Sequence, residues 1–194
     1  MYYKELIDYF DNIAVSFRNQ RDGFKRAIEI FNLLNLKRVY WVLDVGCGNG
    51  FLFKILRKYA ENIVGIDISK EMLKISKIKN SGSNVINSFA ESLPFKSKSI
   101  DVVVNYCVVP HIKNRRQAFS EYYRVLKGRG RLFIIHPEGR EQTNKIHMEI
   151  GAPVEDDLLP DKEILREELS AQNFQILNLI DTYRLFLIEA VKLK

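Results

Sequence analysis

The chain of 194 residues contains few cysteines and no long apolar run. Its two cysteines, Cys47 and Cys107, form no Cys-x-x-Cys pair, which argues against a compact metal site or a disulfide framework. No apolar stretch approaches the ~18 residues that a membrane span requires. The first residues, Met1–Glu5, lack the basic-then-apolar order of a signal peptide. We therefore expect a cytoplasmic protein without a membrane span.

Acidic residues are scarce in the first two thirds of the chain. Residues 1–137 carry a net charge of +11 and residues 138–194 a net charge of −5, which gives +6 in total. Such a basic excess fits either a nucleic-acid partner or solvated helix faces. The lysines at positions 70, 74, 77 and 79 follow surface-helix spacing and are not interleaved with aromatic residues, as base-stacking surfaces are. We therefore do not expect a nucleic-acid partner, and the oligomeric state stays open.

The most informative stretch is a glycine-rich segment between two apolar ones. An apolar run, Tyr40–Val45, ends abruptly at Gly46–Gly50, after which apolar residues recur at helical spacing from Phe51 to Tyr59. This order predicts a buried strand, a tight turn and the start of a helix. Because glycines let a ligand approach the bare backbone, the turn suits a small, nucleotide-like ligand.

Four segments follow one another in an order that is typical of a known family. Asp44 and the Gly-x-Gly-x-Gly of Gly46–Gly50 resemble motif I of the class I S-adenosylmethionine-dependent methyltransferases, and Gly65–Met72 resembles the second motif. Ala90–Phe95 is similar to the family's Asp-Ala-Glu-x-Leu-Pro-Phe stretch, and Arg124–Gly130 to its link before the fifth strand. The type resembled is the small, ubiquinone/menaquinone-biosynthesis-like one. It implies an α/β, Rossmann-like three-layer sandwich: a seven-stranded, mostly parallel sheet with an antiparallel last strand, and helices on both faces.

The resemblance implies S-adenosylmethionine as the cofactor. An acidic residue about 20 residues after the glycines, here Asp67, can accept hydrogen bonds from both ribose hydroxyls. The family's adenine-binding Asp is replaced by Phe89, which puts that side-chain hydrogen bond in doubt. Asn105 and Tyr106, after the fourth strand, would face the transferring methyl group. The implied cofactor-binding residues are Asp44, Gly46, Cys47, Gly48, Asp67, Ile68, Met72, Ala90, Glu91, Asn105 and Tyr106.

Three histidines are candidates for a catalytic general base, which is required only when the methyl acceptor arrives protonated. They are His111, His136 and His147, and each is also compatible with a structural role. His136 and His147, together with Glu149 and the acidic pair Asp156–Asp157, also permit a metal site. The spacing fits no compact ligand motif, however, and we predict no metal.

We expect one methyltransferase domain over residues 1–194. Apolar residues at helical spacing predict two helices over residues 1–36, which are also compatible with simple core packing. The resemblance implies that these helices form a lid over the cofactor pocket and that residues 137–160 form a substrate-side insertion. Three further boundaries are expected: a fourth strand that ends at Val104, a helix over residues 114–127 that ends at Gly128, and a closing hairpin with its turn at Asp181–Thr182.

The resemblance implies transfer of the methyl group of S-adenosylmethionine to a small-molecule acceptor by in-line displacement, with S-adenosylhomocysteine as the product. A methyltransferase acting on RNA or protein is one alternative, although no Asn-Pro-Pro-Tyr-type motif follows the fourth strand. A catalytically silent S-adenosylmethionine-binding module is another, motivated by Phe89. The glycine spacing of Gly46–Gly50 argues against a nicotinamide-dependent oxidoreductase.

Overall fold

Two helices precede an alternation of strands and helices that continues to the end of the chain. The structure is a computed structural model that describes residues 2–16 and 21–194, with side chains for residues 3–16 and 23–194. Residues 17–20 of the expected lid lie outside these ranges. The helices are α1 (Tyr2–Ile13), α2 (Arg21–Leu33), α3 (Phe53–Leu56), α4 (Lys70–Lys79), α5 (Arg115–Val125), α6 (Arg140–Ile150) and α7 (Lys162–Ser170).

The strands form one seven-stranded sheet within the described residues. They are β1 (Val39–Val45), β2 (Ala60–Asp67), β3 (Asn84–Asn87), β4 (Ile100–Tyr106), β5 (Leu126–His136), β6 (Phe174–Thr182) and β7 (Leu185–Lys192). Their order is β3-β2-β1-β4-β5-β7-β6. Only β7 runs against its neighbours, because it pairs antiparallel with both β5 and β6. The predicted fold class, with its antiparallel last strand, is confirmed.

The sheet carries an apolar layer on each face. Alternation along β4 directs Val103 towards the face that packs on α5 and α7, and Val102 and Val104 towards the face that packs on α2 and α3. Buried parallel strands of this kind have apolar side chains on both faces, as the run Ile100–Val104 has. The chain order reverses between β1 and β4, so the carboxyl ends of these strands flank the crevice where α/β folds usually bind ligands.

Three boundaries expected from the sequence are wrong. Strand β4 continues to Tyr106, because Asn105 and Tyr106 pair with Ile134 and Ile135 of β5. The hairpin turn is Tyr183–Arg184, since Thr182 already pairs with Leu185.

The end of α5 is the third correction. The helix stops at Val125, before Gly128, which lies within β5. The ammonium group of Lys192 explains this early end, since it donates hydrogen bonds to the carbonyls of Tyr123 and Leu126 at 2.6 and 2.8 Å. A buried cation from another strand thus supplies the partners that the last turn of a helix lacks.

A glycine in β2 lets the glycine-rich turn pack onto the sheet. A Cβ on Gly65 would lie 2.5 Å from the Cys47 sulfur and 2.8 Å from the Phe53 ring. Both distances are shorter than any packing contact, so the turn and α3 rest on bare backbone at this point.

We expect Gly65→Ala to lower the free energy of unfolding by about 1–3 kcal/mol, because the added methyl group overpacks this contact. Urea denaturation measures the change. Gly128→Ala is the matched control, since its Cβ would meet nothing closer than the Cα of Lys194 at 3.8 Å. Equal stability of the two variants would contradict the tight packing of the turn against β2.

Candidate functional site

A cavity of about 520 Å³ lies at the carboxyl ends of β1, β2 and β4. Its wall combines the glycine-rich turn with the loops after β2, β3, β4 and β5 and with residues of α1 and α2. The predicted site residues on this wall are Asp44, Gly46, Cys47, Gly48, Asp67, Ile68, Met72, Ala90, Glu91, Tyr106 and His111. The fold therefore brings together residues from most of the predicted set, whose roles in binding stay predictions.

The glycine-rich turn exposes its backbone to the cavity. Gly46 has a φ of +68°, and a Cβ there would collide with Val108 in the loop after β4. Gly48 has only one atom within 4 Å of its Cβ position, the sulfur of Met72 at 4.0 Å. The helix expected after the turn is short, since α3 has four residues. The turn itself, more than a helix dipole, thus defines this side of the cavity.

Two carboxylates face the cavity from neighbouring strands. Asp44 in β1 is 1% exposed, and its Oδ2 has no hydrogen-bond partner among the described residues. Burial, and then the nearby charge of Asp67, raises the pKa of Asp44 well above its usual range. A buried acceptor without a donor is costly, so Asp44 is poised for a ligand that brings one.

Asp67, at the end of β2, connects the glycine-rich turn after β1 with the loop that precedes α4. One carboxylate oxygen accepts from the Gly48 amide and the other from the Ser69 amide, both at 2.8 Å. Burial raises the pKa of Asp67 to about 6, although these two hydrogen bonds oppose the shift. Each carboxylate oxygen can still accept a second hydrogen bond, so Asp67 can serve a ligand without losing its backbone partners.

The far end of the cavity is bounded by the loop after β3. Ser88, Ala90 and Glu91 line the wall, whereas Phe89 does not. The Phe89 ring packs edge-on against Tyr3 of α1, with centroids 5.0 Å apart, and is 38% exposed. The replacement of the family's Asp by Phe89 therefore removes a polar group without filling the cavity.

Helix α1 lies against this rim and is fixed by polar contacts at both ends. The Tyr3 hydroxyl donates to Glu91 and accepts from the Lys113 amide at 3.0 Å. The Asp11 carboxylate accepts from the Ser69 hydroxyl at 2.5 Å and from the Glu71 amide at 3.2 Å. These contacts join α1 to both sides of the cavity.

The structure does not place Asn105 in the cavity, where the sequence analysis expected it. Because β4 extends to Tyr106, alternation turns Asn105 to the face of α5, where its amide donates to the Tyr122 hydroxyl at 2.8 Å. The side chain is fully buried and lies outside the cavity wall. Tyr106 points to the opposite face and contacts Phe51, with ring centroids 6.1 Å apart.

The three histidines lie near one another, but only His111 lines the cavity. Its Nδ1 is 2.7 Å from the Asp157 carboxylate, and its ring stacks at 5.0 Å on that of His147. His147 lies behind His111, with Nδ1 bonded to the Asp157 carbonyl. His136 is 2% exposed, packs edge-on to Phe186, and burial lowers its pKa to about 3. The structure thus removes His136 and His147 from direct contact with the cavity.

The sequence analysis missed several residues of the site. Asp157 was considered only as a metal ligand, and its pairing with His111 spans 46 residues that no local pattern connects. Cys107, Pro137 and Glu138 line the cavity because they follow β4 and β5 directly. Their position at the carboxyl ends of parallel strands, where α/β folds usually bind ligands, could have identified them from the sequence.

Two further findings concern the described residues. No group of three or more His, Cys, Asp or Glu side chains within them is arranged to hold a metal ion. Among the helices of this part of the chain, none combines the length and the apolar character needed to cross a membrane.

Comparisons with known proteins agree with this geometry. The profile of a family described as a methyltransferase domain matches residues 43–134. The chain is 30% identical over 158 residues to the demethylmenaquinone methyltransferase of Thermotoga maritima, covering 74% of this chain and 68% of that relative. The chain therefore belongs to the class I S-adenosylmethionine-dependent methyltransferase family. It spans 48% to 66% of the length of other curated relatives that it matches.

Solved structures share the fold at low sequence identity. An S-adenosylmethionine-dependent methyltransferase from Aquifex aeolicus matches with a TM-score of 0.75 and 18% identity, over 93% of this chain and 97% of that one. A chain of the complex between the Haloferax volcanii Trm112 methyltransferase activator and a methyltransferase matches with a TM-score of 0.79 and 17% identity, over 95% and 98%.

The raised pKa of Asp67 predicts a pH dependence of stability. The folded protein holds this proton to about pH 6, whereas an unfolded chain releases it near pH 4. The folded state thus binds more protons in that window, and the free energy of unfolding falls as pH rises through it. We expect Asp67 to contribute a decrease of about 1–2 kcal/mol, after allowance for water in the cavity.

Urea denaturation of the wild type and of Asp67→Asn between pH 4 and pH 7 isolates this contribution. The difference between the two curves removes the effects of the titrating groups that do not interact with Asp67. Parallel curves would mean that Asp67 ionises normally in the folded protein.

Proposed function

We propose that this protein transfers the methyl group of S-adenosylmethionine to a small-molecule acceptor. The observation that carries the proposal is the pair of cavity carboxylates beside an open glycine turn. Asp44 has a buried oxygen without a donor, and Asp67 keeps free acceptor capacity at the end of the next strand. The cofactor offers an ammonium group and a ribose diol, which are donors of the kind that this pair lacks.

The residues present fit this cofactor. Asp44 would accept from the ammonium group of the methionine part, and Asp67 from the ribose hydroxyls. Ile68 and Met72 offer apolar surface for the adenine ring, next to the backbone of Ala90. Gly46 and Gly48 leave the backbone accessible where the methionine part would pass.

The cofactor supplies a methyl group on a sulfonium, which is a good leaving group. The protein's own contribution is then to align the acceptor with that methyl group and to exclude water. Tyr106 at the end of β4 and Cys107 and Val108 after it line the cavity wall, and Phe51 packs against Tyr106. These side chains form a largely apolar surface on which an acceptor would be oriented.

Two features support a small acceptor. The Thermotoga relative is named for the small molecule demethylmenaquinone. The cavity of about 520 Å³ has a mainly apolar wall, in the size range of sites for small ligands. Methyl transfer to RNA or protein would be revealed by label in the macromolecular fraction, and that result would contradict this part of the proposal.

We also propose that the chain acts as one methyltransferase domain in which the N-terminal helices form a lid and residues 137–160 complete the acceptor side. The support is positional: Tyr3, Phe10 and Gly23 line the cavity from α1 and α2. Pro137 and Glu138 line it from the start of the 137–160 segment, and half of the rest of that segment is helix α6.

Calorimetric titration with S-adenosylhomocysteine tests the cofactor site, with a nicotinamide dinucleotide as the comparison ligand. We expect binding of the first ligand only. Asp67→Ala should weaken it by about 1.5–3 kcal/mol, because a charged acceptor of the ribose hydroxyls is lost. Asp44→Asn should also weaken binding, since the ammonium group loses its counter-charge.

Glu61→Gln is the matched control for both variants. Glu61 is an exposed carboxylate near the start of β2, at the opposite end of the strand from Asp67. Its removal should leave affinity unchanged. Wild-type protein that binds no S-adenosylhomocysteine would refute the proposed function, and an unchanged affinity in Asp67→Ala would refute the placement of the ribose.

Tyr3→Phe tests the lid. The change removes only the hydroxyl that bonds Glu91 and the Lys113 amide, while the ring contact with Phe89 stays. We expect S-adenosylhomocysteine to dissociate several times faster, because α1 loses its polar contact with the rim. Stopped-flow fluorescence measures the rate, and Tyr183→Phe, at an exposed side chain in the hairpin turn, is the control. An unchanged dissociation rate would argue against a lid at this end of α1.

A further inference from the structure

A histidine and a carboxylate form a hydrogen-bonded pair at the cavity wall. His111 follows β4 in a short 3₁₀ turn, Val109–His111, and its side chain is 14% exposed. Its Nδ1 lies 2.7 Å from an oxygen of Asp157, which is 6% exposed and comes from the segment after α6. An ionised carboxylate can only accept, so Nδ1 of His111 carries the hydrogen.

This pairing determines which ring nitrogen of His111 remains able to accept a proton. With Nδ1 as donor, Nε2 of the neutral ring keeps its lone pair and can accept a proton. His111 lines the same cavity as the glycine turn and Tyr106. On the His111 ring, Nε2 is therefore the atom that can accept a proton from a ligand bound in this cavity.

The surroundings of His111 hold the pair in place. His147 from α6 stacks on the ring, and its own Nδ1 bonds the carbonyl of Asp157, so Asp157 is held through both its backbone and its side chain. Phe10 from α1 packs edge-on to the His111 ring, with centroids 5.2 Å apart. The other titratable groups near the pair are His136 of β5 and Tyr3 of α1. Burial lowers the pKa of both His136 and His147, which keeps these neighbours neutral.

We propose that His111 removes the proton of the methyl acceptor, and that the acceptor is therefore a small molecule with a phenol-type hydroxyl. Asp157 is a positioning residue that sets the tautomer and orientation of His111. This inference rests on the proposed function. The new oxygen–carbon bond forms as the sulfonium–carbon bond breaks, the hydroxyl proton passes to Nε2, and the imidazolium then releases it to water. A tertiary amine or a thioether would need no such group, whereas a hydroxyl is a poor nucleophile until it loses its proton.

The aromatic surroundings favour a phenol over an aliphatic alcohol. Phe10, Phe51 and Tyr106 line the cavity together with His111. An acceptor ring can pack on these side chains while its hydroxyl reaches Nε2. Phenols also lose their proton far more readily than alcohols do, so a histidine can act as their base near neutral pH.

The rates of methyl transfer to a series of para-substituted phenols, from methoxy to nitro, test the inference. N,N-dimethylaniline is the control acceptor, because it has no dissociable proton. We expect the wild type to methylate the phenols. His111→Gln should lower kcat/KM about 100-fold for the less acidic phenols. The deficit should shrink for para-nitrophenol, because a substantial fraction of this phenol is already ionised near neutral pH before it binds. The affinity for S-adenosylhomocysteine should stay unchanged.

The same variants allow a measurement without turnover. In the presence of saturating S-adenosylhomocysteine and below its own pKa, para-nitrophenol should bind to the wild type as the coloured phenolate. His111→Gln should abolish this absorbance change. Asp157→Asn should lower kcat with little change in KM and Asp157→Glu should restore part of it, whereas Asp156→Asn, at the exposed neighbouring position, should have no effect.

Three outcomes would overturn the inference. One is an equal loss of activity in His111→Gln across the whole phenol series, which is the result of a purely structural role. Another is turnover of dimethylaniline without turnover of any phenol. The third is binding of S-adenosylhomocysteine without methylation of any of these acceptors. The proposed function fails differently, since it is refuted when the wild type does not bind S-adenosylhomocysteine at all.

Discussion

The cavity depends on one carboxylate that bridges two loops. Asp67 accepts from the Gly48 amide of the turn after β1 and from the Ser69 amide before α4, each at 2.8 Å. Ser69 in turn caps α4 through the Met72 amide and donates to Asp11 of α1. Asp67 and its partner Ser69 thus connect the glycine turn, α4 and the N-terminal helix. Hydrogen bonds to a charged acceptor are stronger than those between neutral groups, so a carboxylate is well suited to hold two loops in place.

The same arrangement carries an electrostatic cost that a ligand would relieve. Asp44 and Asp67 repel one another across the turn, and burial raises the pKa of both. Functional sites often concentrate such shifts, because groups arranged for a ligand are left incompletely satisfied without it. A bound ammonium group and ribose diol would supply donors to both carboxylates. Binding of the proposed cofactor and stability of the folded chain are therefore linked through the same two side chains.

The sequence predicted the parts of the fold that local patterns determine. The strand, tight turn and helix around Gly46–Gly50 follow from apolar runs and turn chemistry, and the structure agrees. The sequence-based predictions are wrong where a residue distant in the sequence determines a boundary or a side-chain orientation. The end of α5 depends on Lys192, 66 residues away from Leu126. The orientation of Asn105 depends on how far β4 pairs with β5, which no pattern within β4 specifies.

The candidate site likewise has a part that local motifs predict and a part that depends on contacts between distant residues. Residues within motifs, such as Asp44 and Asp67, could be placed from the sequence, because the turn that carries them is local. The pairing of His111 with Asp157 could not, since it needs the 137–160 segment to fold back over the end of β4. This segment matches no family motif, yet it holds the carboxylate that orients a histidine beside a family-like cavity. Local motifs thus predict where the proposed cofactor would bind, while the proposed chemistry of the acceptor depends on a contact that only tertiary structure creates.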